Sequence, residues 1–492
     1  MSAAKFLAFD FGAESGRVIL GRLDRSKIRL EEIHRFPNRQ IKVFDHIYWD
    51  IHYLFDELKQ GLMKTGNLGH KNLSGIGVDT WGVDFGFLGK GNQLLGNPYC
   101  YRDSRTKGMM ERAFNLMSKD EIYKYTGIQF MQLNSIFQLL SIVETQSISL
   151  SVIEKLLFMP DLFNFFMTGE KLSEYSIAST SQLLNAKDKT WEPAIFEKLN
   201  LPIKIMAPVI QPGSVIAKIL PEITEETGIQ AVDVIAPACH DTASAVAAVP
   251  AQLSNWAYLS SGTWSLVGIE VKTPIINENS LKHNFTNEGG INQTIRFLRN
   301  TMGLWLLQKC SLSWRQNGEE LTYAEITNMA KKATPFKCIV NPDDLTFLNP
   351  PDMPTAILDF CKKTNQPYPE SKGEFARCIF ESLALKYRYI LELINSMRGE
   401  TIEVLHIVGG GSQNELLNQF TANSTGLEVI AGPIEATALG NIIVQAIAKK
   451  ELGSLQEGRG LVANSFTLKR YEPEKQELWN DIYQKSISLF SD

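Results

Sequence analysis

An acid followed at once by a glycine-containing turn is the first feature of this chain that could do chemistry. In LAFDFGAESGR, residues 7–17, an apolar segment ends near Asp10 and runs into Gly12, Ala13 and Glu14. Backbone amides of such a turn can bind phosphate oxygens. A carboxylate beside a polyphosphate, however, costs about 4 kcal/mol per charge pair at 4 Å and an effective dielectric of 20. A phosphate site here therefore needs a cation such as Mg²⁺, which binds carboxylate and phosphate oxygens together; the alternative is an ordinary turn.

Two further turns have the composition of ligand-binding loops. SSGTW, residues 260–264, offers hydroxyl and amide donors from Ser260, Ser261, Gly262 and Thr263 without an acid, which suits another part of a polyphosphate. The glycines at 409–411 lie between an apolar segment and a predicted helix, where a ligand can approach the backbone closely. Each turn taken alone also fits a plain connection. Together, in two halves of the chain, they suggest a nucleotide site.

A candidate general base lies in CHDTAS, residues 239–244. Asp241 follows a predicted strand and precedes a predicted helix. A base within hydrogen-bond distance of an acceptor hydroxyl accelerates a reaction by about 10² to 10⁴, and the neighbouring His240 could bind the same acceptor. The alternative is that Asp241 only caps the helix, which is worth about 1 kcal/mol, and that His240 is structural.

Other polar positions could complete a site. In GVDTWGVDFGFL, residues 77–88, Trp81 and Gly82 could form the wall of a sugar pocket, or the segment could be a buried hairpin. Asn300 and Gln308 lie near the start of a predicted helix. Their amides could bind a hydroxyl or a nucleotide group, or they could be ordinary polar residues of that helix.

The surrounding pattern predicts α/β structure in both halves. Apolar segments flank the turns at 12–14 and 262–263, which predicts two hairpins. VDVIAPAC followed by HDTASAVAAV, and LEVIAGPI followed by EATALGNIIVQAIA, each predict a strand and a helix of small residues. Two such helices could pack together where the domains meet, or be ordinary core helices. Residues 374–397 have apolar side chains at helical spacing, residues 401–424 predict strand, loop and helix, and a last helix ends near Phe490.

Length and composition limit the possible classes. A chain of 492 residues exceeds the roughly 250 to 300 residues of one core, which predicts two domains, 1–249 and 250–492, divided at Pro250. A net charge of -5 gives no reason to expect nucleic acid or an anionic membrane as partner. The N-terminus lacks the features of a secretory signal and no apolar run approaches a membrane span, so we expect a cytoplasmic protein.

The cysteines argue against a metal or disulfide scaffold. Six are present, without a CxxC pair or a histidine cluster nearby. Cys361 and Cys378 can pair only if their loops meet, and reduced, buried thiols are the expectation for a cytoplasmic chain.

Taken together, the motifs resemble the FGGY family of carbohydrate kinases. They are DFGAESGR, GVDTWGVDFGFL, CYRDSRT, FMPDLFNFFMTGE, APACHDTASAV, YLSSGTWSLVG, RNTMGLWLLQ and HIVGGGSQNELLNQFTA, which follow the family order over nearly the whole chain. The resemblance implies two ribonuclease-H-like domains of the actin and sugar-kinase type, with a catalytic cleft between them and ATP bound mainly against the second domain.

The resemblance also implies an activity and a set of site residues. Within the family it is closest to the kinases of L-rhamnulose, which implies transfer of the γ-phosphoryl group of ATP to the 1-hydroxyl of L-rhamnulose in L-rhamnose catabolism. Asp241 matches the proton acceptor and Asp10 the acid associated with Mg²⁺. The ATP-binding positions match Ala13, Glu14, Ser15, Gly16, Arg17, Thr263, Gln308 and Gly410, and the sugar-binding positions match Gly82, His240, Asp241, Thr242 and Asn300.

The residue patterns leave alternatives for Glu14, for two cysteines and for the substrate. Glu14 stands where many relatives carry a small polar residue, so only its backbone amide is expected to bind phosphate. Cys361 and Cys378 resemble a cysteine pair of related enzymes, which leaves their oxidation state undecided. We expect a monomer or weak dimer. Another ketose kinase, for L-fuculose or D-xylulose, or a conformational ATPase of the actin or chaperone type, is the alternative function.

Overall fold

The computed structural model describes residues 3–24 and 26–490, which form mixed α/β structure as predicted. Its strands are β1 (Ala4–Phe11), β2 (Ser15–Leu23), β3 (Ile28–Pro37), β4 (Gln40–Val43), β5 (His46–Trp49), β6 (Gly75–Thr80), β7 (Phe85–Leu88), β8 (Lys155–Phe158), β9 (Ser173–Glu174), β10 (Val209–Ile210), β11 (Val215–Lys218), β12 (Asp233–Ile235), β13 (Trp256–Ser261), β14 (Trp264–Val271), β15 (Thr286–Gly289), β16 (Ile295–Met302), β17 (Val404–Val408), β18 (Glu428–Ala431) and β19 (Lys469–Tyr471).

The α-helices alternate with these strands along the chain. They are α1 (Ile51–Asn67), α2 (Met109–Leu116), α3 (Lys119–Thr126), α4 (Ser135–Thr145), α5 (Met159–Thr168), α6 (Tyr175–Ser179), α7 (Pro193–Lys198), α8 (Pro221–Thr227), α9 (Asp241–Ala247), α10 (Glu278–Lys282), α11 (Trp305–Gln316), α12 (Tyr323–Lys332), α13 (Met353–Lys363), α14 (Lys372–Arg398), α15 (Glu415–Thr425), α16 (Ala436–Ala448), α17 (Leu455–Ser465) and α18 (Gln476–Phe490). The helices predicted at 374–397, after 411 and at the C-terminal end are confirmed as α14, α15 and α18.

The chain forms two units that each have their own sheet. The first contains the residues up to Pro250 together with Glu270–Phe297 and Ala436–Ser465, and the second contains Ala251–Ile269, Leu298–Glu435 and the chain from Phe466 onward. The domain division into 1–249 and 250–492 stays a prediction. The first segment of the first unit ends at Pro250, next to the predicted boundary, but this unit also includes two later segments of the chain.

The sheet of the first unit has the order β11-β12-β6-β1-β2-β3. β1 and β2 form the predicted antiparallel hairpin, and β6 lies parallel to β1 on the other side, with Asp10 opposite Asp79. β12 is parallel to β6, so the ends of β1, β6 and β12 point the same way. Strands buried on both faces explain the continuous apolar runs. The acids that end β1 and β6 therefore meet at one edge of the sheet.

The second unit contains the other predicted hairpin. Five of its strands follow one another in the order β14-β13-β17-β18-β19, with β13 and β14 antiparallel and β13, β17 and β18 parallel. The turn at Gly262 and Thr263 and the glycines at 409–411 therefore follow neighbouring strands, β13 and β17, at the same edge of the sheet. This juxtaposition brings two of the predicted ligand loops together.

Two expectations about local structure are wrong. β6 and β7 do not pair with each other, because β7 pairs with β8, so the segment 77–88 is not a hairpin. Asn300 lies in strand β16, and the helix that follows begins only at Trp305. The apolar run before Asn300 continues as buried strand, and Gly303 separates it from the helix.

Among the described residues, no helix has the length and apolar character needed to cross a membrane. All six cysteines lie in the described ranges, are buried and form no disulfide, as expected for reduced thiols. Cys361 and Cys378 are thus unpaired in this structure.

The two small-residue helices of the sequence, α9 and α16, pack against each other within the first unit. Gly440 is the closest point, where an added Cβ would lie 1.7 Å from the carbonyl oxygen of Ser244 and 3.1 Å from Cβ of Ala247. Glycine is required because the obstacle is backbone, which cannot rotate away. The expectation that these helices pack together is confirmed, but both belong to the first unit and not to two different domains. The contact fixes the helix that begins at Asp241.

We predict that Gly440→Ala lowers the melting temperature, because one methyl group must separate two helices; overpacking of this kind costs about 1–3 kcal/mol. Gly460→Ala is the matched control, since that helical glycine of α17 has open space where its Cβ would lie and alanine favours helix by up to about 1 kcal/mol. Differential scanning calorimetry on both variants measures the effect. Equal melting temperatures for Gly440→Ala and the wild type would contradict the packing argument.

Candidate active site

The first predicted phosphate loop is the tight turn between β1 and β2. Gly12 N donates to the carbonyl of Ser15 at 2.9 Å, and Asn38 holds the turn from outside through its side-chain amide, which donates to the Gly12 carbonyl at 2.9 Å. Asp10 lies opposite Arg17 in the hairpin, and the two side chains form an ion pair. Arg17 is thus a cation beside Asp10. The sequence pattern predicted a cation at this position but did not identify Arg17 as one.

The side chains of this turn differ in their surroundings. Glu14 is exposed while its neighbours Ala13 and Ser15 are half-buried, so the Glu14 carboxylate can stay in solvent and leave the backbone amides accessible. Gly16 is buried, and a Cβ there would lie 2.2 Å from the ring of Phe36. The absence of a side chain at Gly16 therefore allows Phe36 to pack against the turn.

Asp79 is a second buried acid at the edge of the sheet. Burial raises its pKa well above the ordinary value, the nearby charges of Asp10 and Asp241 raise it further, and a hydrogen bond from Asn441 Nδ2 at 2.6 Å lowers it. Asn441 lies on α16. The structure thus brings three carboxylates, on Asp10, Asp79 and Asp241, into electrostatic range of one another.

Gly82 and His240 are in direct contact. A Cβ on Gly82 would lie 3.3 Å from His240 Nε2 and 3.4 Å from Thr180 Oγ1. The strand end at Thr80 also forms a β-bridge with His240, and Thr80 N donates to the Cys239 carbonyl at 2.9 Å. The predicted sugar-binding positions Gly82 and His240 are therefore neighbours, and the absence of a side chain on Gly82 leaves the ring face of His240 uncovered on that side.

A buried carboxylate holds the backbone that carries His240. Glu174 Oε2 accepts hydrogen bonds from Cys239 N at 3.0 Å and from Ser176 Oγ at 2.6 Å, and Ser176 Oγ in turn accepts from His240 N at 3.1 Å. Glu174 also accepts from the first amides of α6, where it is the N-cap residue. Glu174 was missed from the sequence, because it stands among polar residues in KLSEYS and gives no local signal of burial.

Asp241 is the first residue of α9, and His240 is its N-cap residue. Asp241 Oδ1 accepts from Thr242 Oγ1 at 3.0 Å and lies 3.4 Å from His240 Nε2, and its side chain is 31% exposed. Burial and the charge of Asp10 raise the pKa of Asp241, while His240 lowers it. The N-cap position belongs to His240, although Asp241 Oδ1 also accepts from the first-turn amide Thr242 N. The three adjacent positions 240–242 present one carboxylate with a hydroxyl and an imidazole around it.

Asp84 is the centre of a buried network that the sequence did not reveal. Its Oδ2 accepts from Trp49 Nε1 at 2.6 Å, Trp81 Nε1 at 3.0 Å and Tyr101 N at 3.1 Å, and its Oδ1 accepts from Gln138 Nε2 at 2.9 Å. The rings of Trp49 and Trp81 lie 4.3 Å apart. A fully buried acid thus fixes two indoles next to Gly82, which supports the interpretation of this segment as a pocket wall.

In the second unit, the turn Gly262–Thr263 is bonded to the start of α11. Gly303 N and Trp305 N donate to the Thr263 carbonyl at 3.0 and 3.2 Å, and Leu304 N donates to the Gly262 carbonyl at 3.0 Å. Gln308 follows one helical turn later, and its Oε1 is buried without a hydrogen-bond partner among the described residues. An acceptor left in this state is suited to a ligand donor.

The three glycines after β17 have different tasks. Gly409 has φ 83°, and a Cβ on Gly411 would lie 2.0 Å from Ser261 Oγ, so both are needed for conformation and packing against β13. A Cβ on Gly410 would meet open space. Of the three, Gly410 is the one where a side chain would extend into free volume, which agrees with its match to an ATP-binding position.

That free volume is a cavity of about 650 Å³, within the usual range for small-molecule sites. Thr263, Gln308 and Gly410, the three predicted ATP positions of the second unit, all line it. The lining is completed by Gly262, Leu304, Tyr323, Ala324, Thr327, Asn328, Lys331, Gly411, Gln413, Asn414 and Glu415. Asn300 is not among the lining residues. It lies in β16 of the second unit, whereas the other predicted sugar positions, Gly82 and 240–242, lie in the first.

We predict that Asp84→Asn changes how stability depends on pH. Burial raises the pKa of Asp84 to about 6 against hydrogen bonds that lower it. The folded protein therefore keeps a proton that the unfolded chain has already released, and wild-type stability falls as pH rises from about 4 to about 6. Between pH 5 and 7 the free energy of unfolding of wild type should fall by about 1 kcal/mol relative to Asp84→Asn, measured by urea denaturation.

Asp359→Asn, at an exposed aspartate, is the matched control for the same change of side chain. A constant difference in stability between wild type and Asp84→Asn from pH 5 to 7 would contradict the prediction.

Two family models match the chain. The N-terminal domain of the FGGY family of carbohydrate kinases matches residues 5–248, and the C-terminal domain of that family matches residues 257–449. Curated relatives named rhamnulokinase are similar over almost the whole chain. The one from Bacteroides thetaiotaomicron is 46% identical over 97% of this chain and 98% of its own, and the one from Bacillus subtilis is 39% identical over 95% of both.

Solved structures confirm the predicted sugar-kinase fold. A gluconate kinase from Lactobacillus acidophilus superimposes with a TM-score of 0.81 at 17% identity, covering 99% of this chain and 98% of that one. A glycerol kinase from Plasmodium falciparum, solved with ADP, gives 0.77 at 14% identity with the same coverage. Since both family models match in order and together span most of its length, the chain belongs to the FGGY family of carbohydrate kinases.

Proposed function

We propose that this chain phosphorylates L-rhamnulose at its 1-hydroxyl with ATP, giving L-rhamnulose 1-phosphate and ADP in L-rhamnose catabolism. The observation that carries the proposal is the sequence identity of 39–46% to rhamnulokinases over nearly the full chain. Membership of a kinase family makes ATP the co-substrate. Because ATP is a cytoplasmic metabolite, we propose the cytoplasm as the place of reaction, and a monomer or weak dimer as the working form.

In this proposal the first unit binds the sugar. Gly82, His240 and Thr242 contact its hydroxyls, and Asp241 accepts the proton of the 1-hydroxyl as that oxygen attacks the γ-phosphorus. Asn300, in the second unit, stays a predicted sugar-binding position. The pKa of Asp241, raised by burial and by Asp10, makes it a stronger base than an ordinary aspartate. Its 31% exposure keeps it accessible to a substrate.

We propose that the cavity of the second unit binds part of ATP. Thr263, Gln308 and Gly410 line the 650 Å³ cavity, which is large enough for an adenosine group. The backbone amides of residues 13–17 bind phosphate oxygens, and Arg17 adds a positive charge beside them. Catalysis of this kind depends mainly on placing the reactants and stabilising charge.

A magnesium ion fits the donor set at Asp10. Within residues 3–24 and 26–490, no three His, Cys, Asp or Glu side chains are arranged to hold a metal by themselves. Mg²⁺ is commonly held by one or two carboxylates together with substrate phosphates and water, and Asp79 Oδ1, close to Asp10, is buried without a hydrogen-bond partner. Asp10 would hold the ion together with the phosphates of ATP. A bound magnesium ion would neutralise negative charge on those phosphates.

The substrate is tested by measuring ADP release over a panel of L-rhamnulose, L-fuculose, D-xylulose and glycerol. The highest kcat/KM is expected for L-rhamnulose. A preference for one of the other three would replace the proposed substrate with that sugar, and equal ADP release without any sugar would favour a conformational ATPase.

We predict that Asp241→Asn lowers kcat for sugar phosphorylation by about 10² to 10⁴, the usual contribution of a general base, and leaves the melting temperature close to that of wild type. Asp359→Asn, an exposed aspartate on α13, should retain wild-type turnover. Near-normal turnover of a folded Asp241→Asn protein would show that Asp241 is not the base.

Gly410→Val should raise KM for ATP at least about tenfold, equal to about 1.4 kcal/mol of binding, because its side chain would extend into the cavity. KM for the sugar should not change. Gly460→Val is the matched control, since its Cβ also meets open space but it lies on α17 and outside the cavity lining. Unchanged KM for ATP in Gly410→Val would remove this cavity from the proposed ATP site.

A further inference from the structure

A buried arginine, Arg296, contacts the imidazole of His240 from the side away from Asp241. Arg296 is fully buried in β16, and its Nε donates to the Gly289 carbonyl at 2.9 Å. Its Nη2 lies 3.0 Å from Glu288 Oε2 and 3.0 Å from His240 Nδ1. Glu288 Oε2 is itself 3.4 Å from the same Nδ1. None of the motif matches assigned a role to Arg296 or Glu288.

The chemistry of the guanidinium group decides where the His240 proton lies. Arginine stays charged and has only donors, so a hydrogen bond between Arg296 Nη2 and His240 Nδ1 requires Nδ1 to accept. A proton on Nδ1 could be donated to Glu288 Oε2 only over 3.4 Å, and it would be repelled by the N–H of Arg296, whose Nη2 lies 3.0 Å away. Because the contact with arginine is the shorter one, Nδ1 carries a lone pair that accepts from Arg296. The ring is then neutral and carries its proton on Nε2.

His240 Nε2 is directed toward the predicted sugar-binding positions. It lies 3.4 Å from Asp241 Oδ1, and the space where a Gly82 side chain would be is 3.3 Å away. With its proton on Nε2, the ring can donate to the Asp241 carboxylate or to a substrate oxygen. With the proton on Nδ1, Nε2 would instead accept and would compete with Asp241 for the hydroxyl proton.

We propose that Arg296, oriented by Glu288, is a positioning residue that fixes His240 as the Nε2–H tautomer, so that the ring donates a hydrogen bond on the sugar side. The proposal deepens the proposed sugar-kinase function and rests on it for its consequence in turnover. The tautomer itself follows from contacts within the first unit and does not depend on the identity of the substrate.

The direct test is nitrogen NMR of the substrate-free protein with ¹⁵N-labelled histidine. The chain has seven histidines, and the signal of His240 is assigned by its loss in His240→Gln. We expect a pyridine-type Nδ1 and a pyrrole-type Nε2 for His240 at pH 7.5. A pyrrole-type Nδ1, whether in the other tautomer or in an imidazolium, would overturn the proposal. Because no sugar or ATP is present, this result stands even if the substrate is another sugar.

Variants then test whether Arg296 sets this state. Arg296→Met alone leaves the Glu288 carboxylate buried without its guanidinium, so the double variant Glu288→Gln with Arg296→Met keeps the charge balanced. We expect loss of the pure Nε2–H pattern in the double variant. We also expect kcat/KM for the sugar to fall about tenfold to hundredfold, by analogy with the loss of partners that orient metal-bound histidines, with KM for ATP unchanged.

Arg112→Met, an arginine half exposed and paired with Glu144, is the matched control and should leave both the spectrum and turnover as in wild type. A folded double variant with an unchanged His240 spectrum and unchanged kcat/KM would overturn the role of Arg296. If the double variant does not fold, the wild-type spectrum still decides the tautomer.

Discussion

The repulsion among three carboxylates at one edge of a sheet is the constraint on which the rest of this site depends. Asp10 and Asp79 are opposite each other on parallel strands, and Asp241 follows the third parallel strand, β12. Asp10 raises the pKa of both Asp79 and Asp241, and Asp241 raises that of Asp79. Negative charge is therefore concentrated where a polyphosphate is proposed to bind, and the fold must supply positive charge and donors to hold it.

Each of the three acids has a charged or hydrogen-bonding partner in the local structure. Arg17 pairs with Asp10 across the hairpin, Asn441 donates to Asp79 from α16, and Thr242 donates to Asp241. Asn441 reaches Asp79 because Gly440, its neighbour, lets α16 pack tightly against α9. Small residues in these helices thus have an electrostatic consequence. They bring a donor to a buried acid that would otherwise be unpaired.

Much of this could be predicted from residue patterns. The two hairpins, the strand-loop-helix after 401 and the small-residue helices have strong local signals, because apolar periodicity and glycine turns act over a few residues. The pairing of Asp10 with Arg17 was missed although both lie in the same motif, since the hairpin register that sets them opposite each other is not visible in composition. Asp84 and Glu174 were missed as organising acids because their partners come from segments far along the chain. Asn300 was assigned to a helix because its strand is followed closely by one.

Phosphoryl transfer to the sugar is tested most directly by ³¹P NMR of the products formed from ATP and L-rhamnulose in equimolar amounts. We expect ADP and one phosphomonoester whose phosphorus couples to the protons on C1 of the sugar, with little inorganic phosphate. ADP accompanied by inorganic phosphate and no sugar ester would contradict it, because the carboxylates and loops of both units would then serve ATP hydrolysis alone.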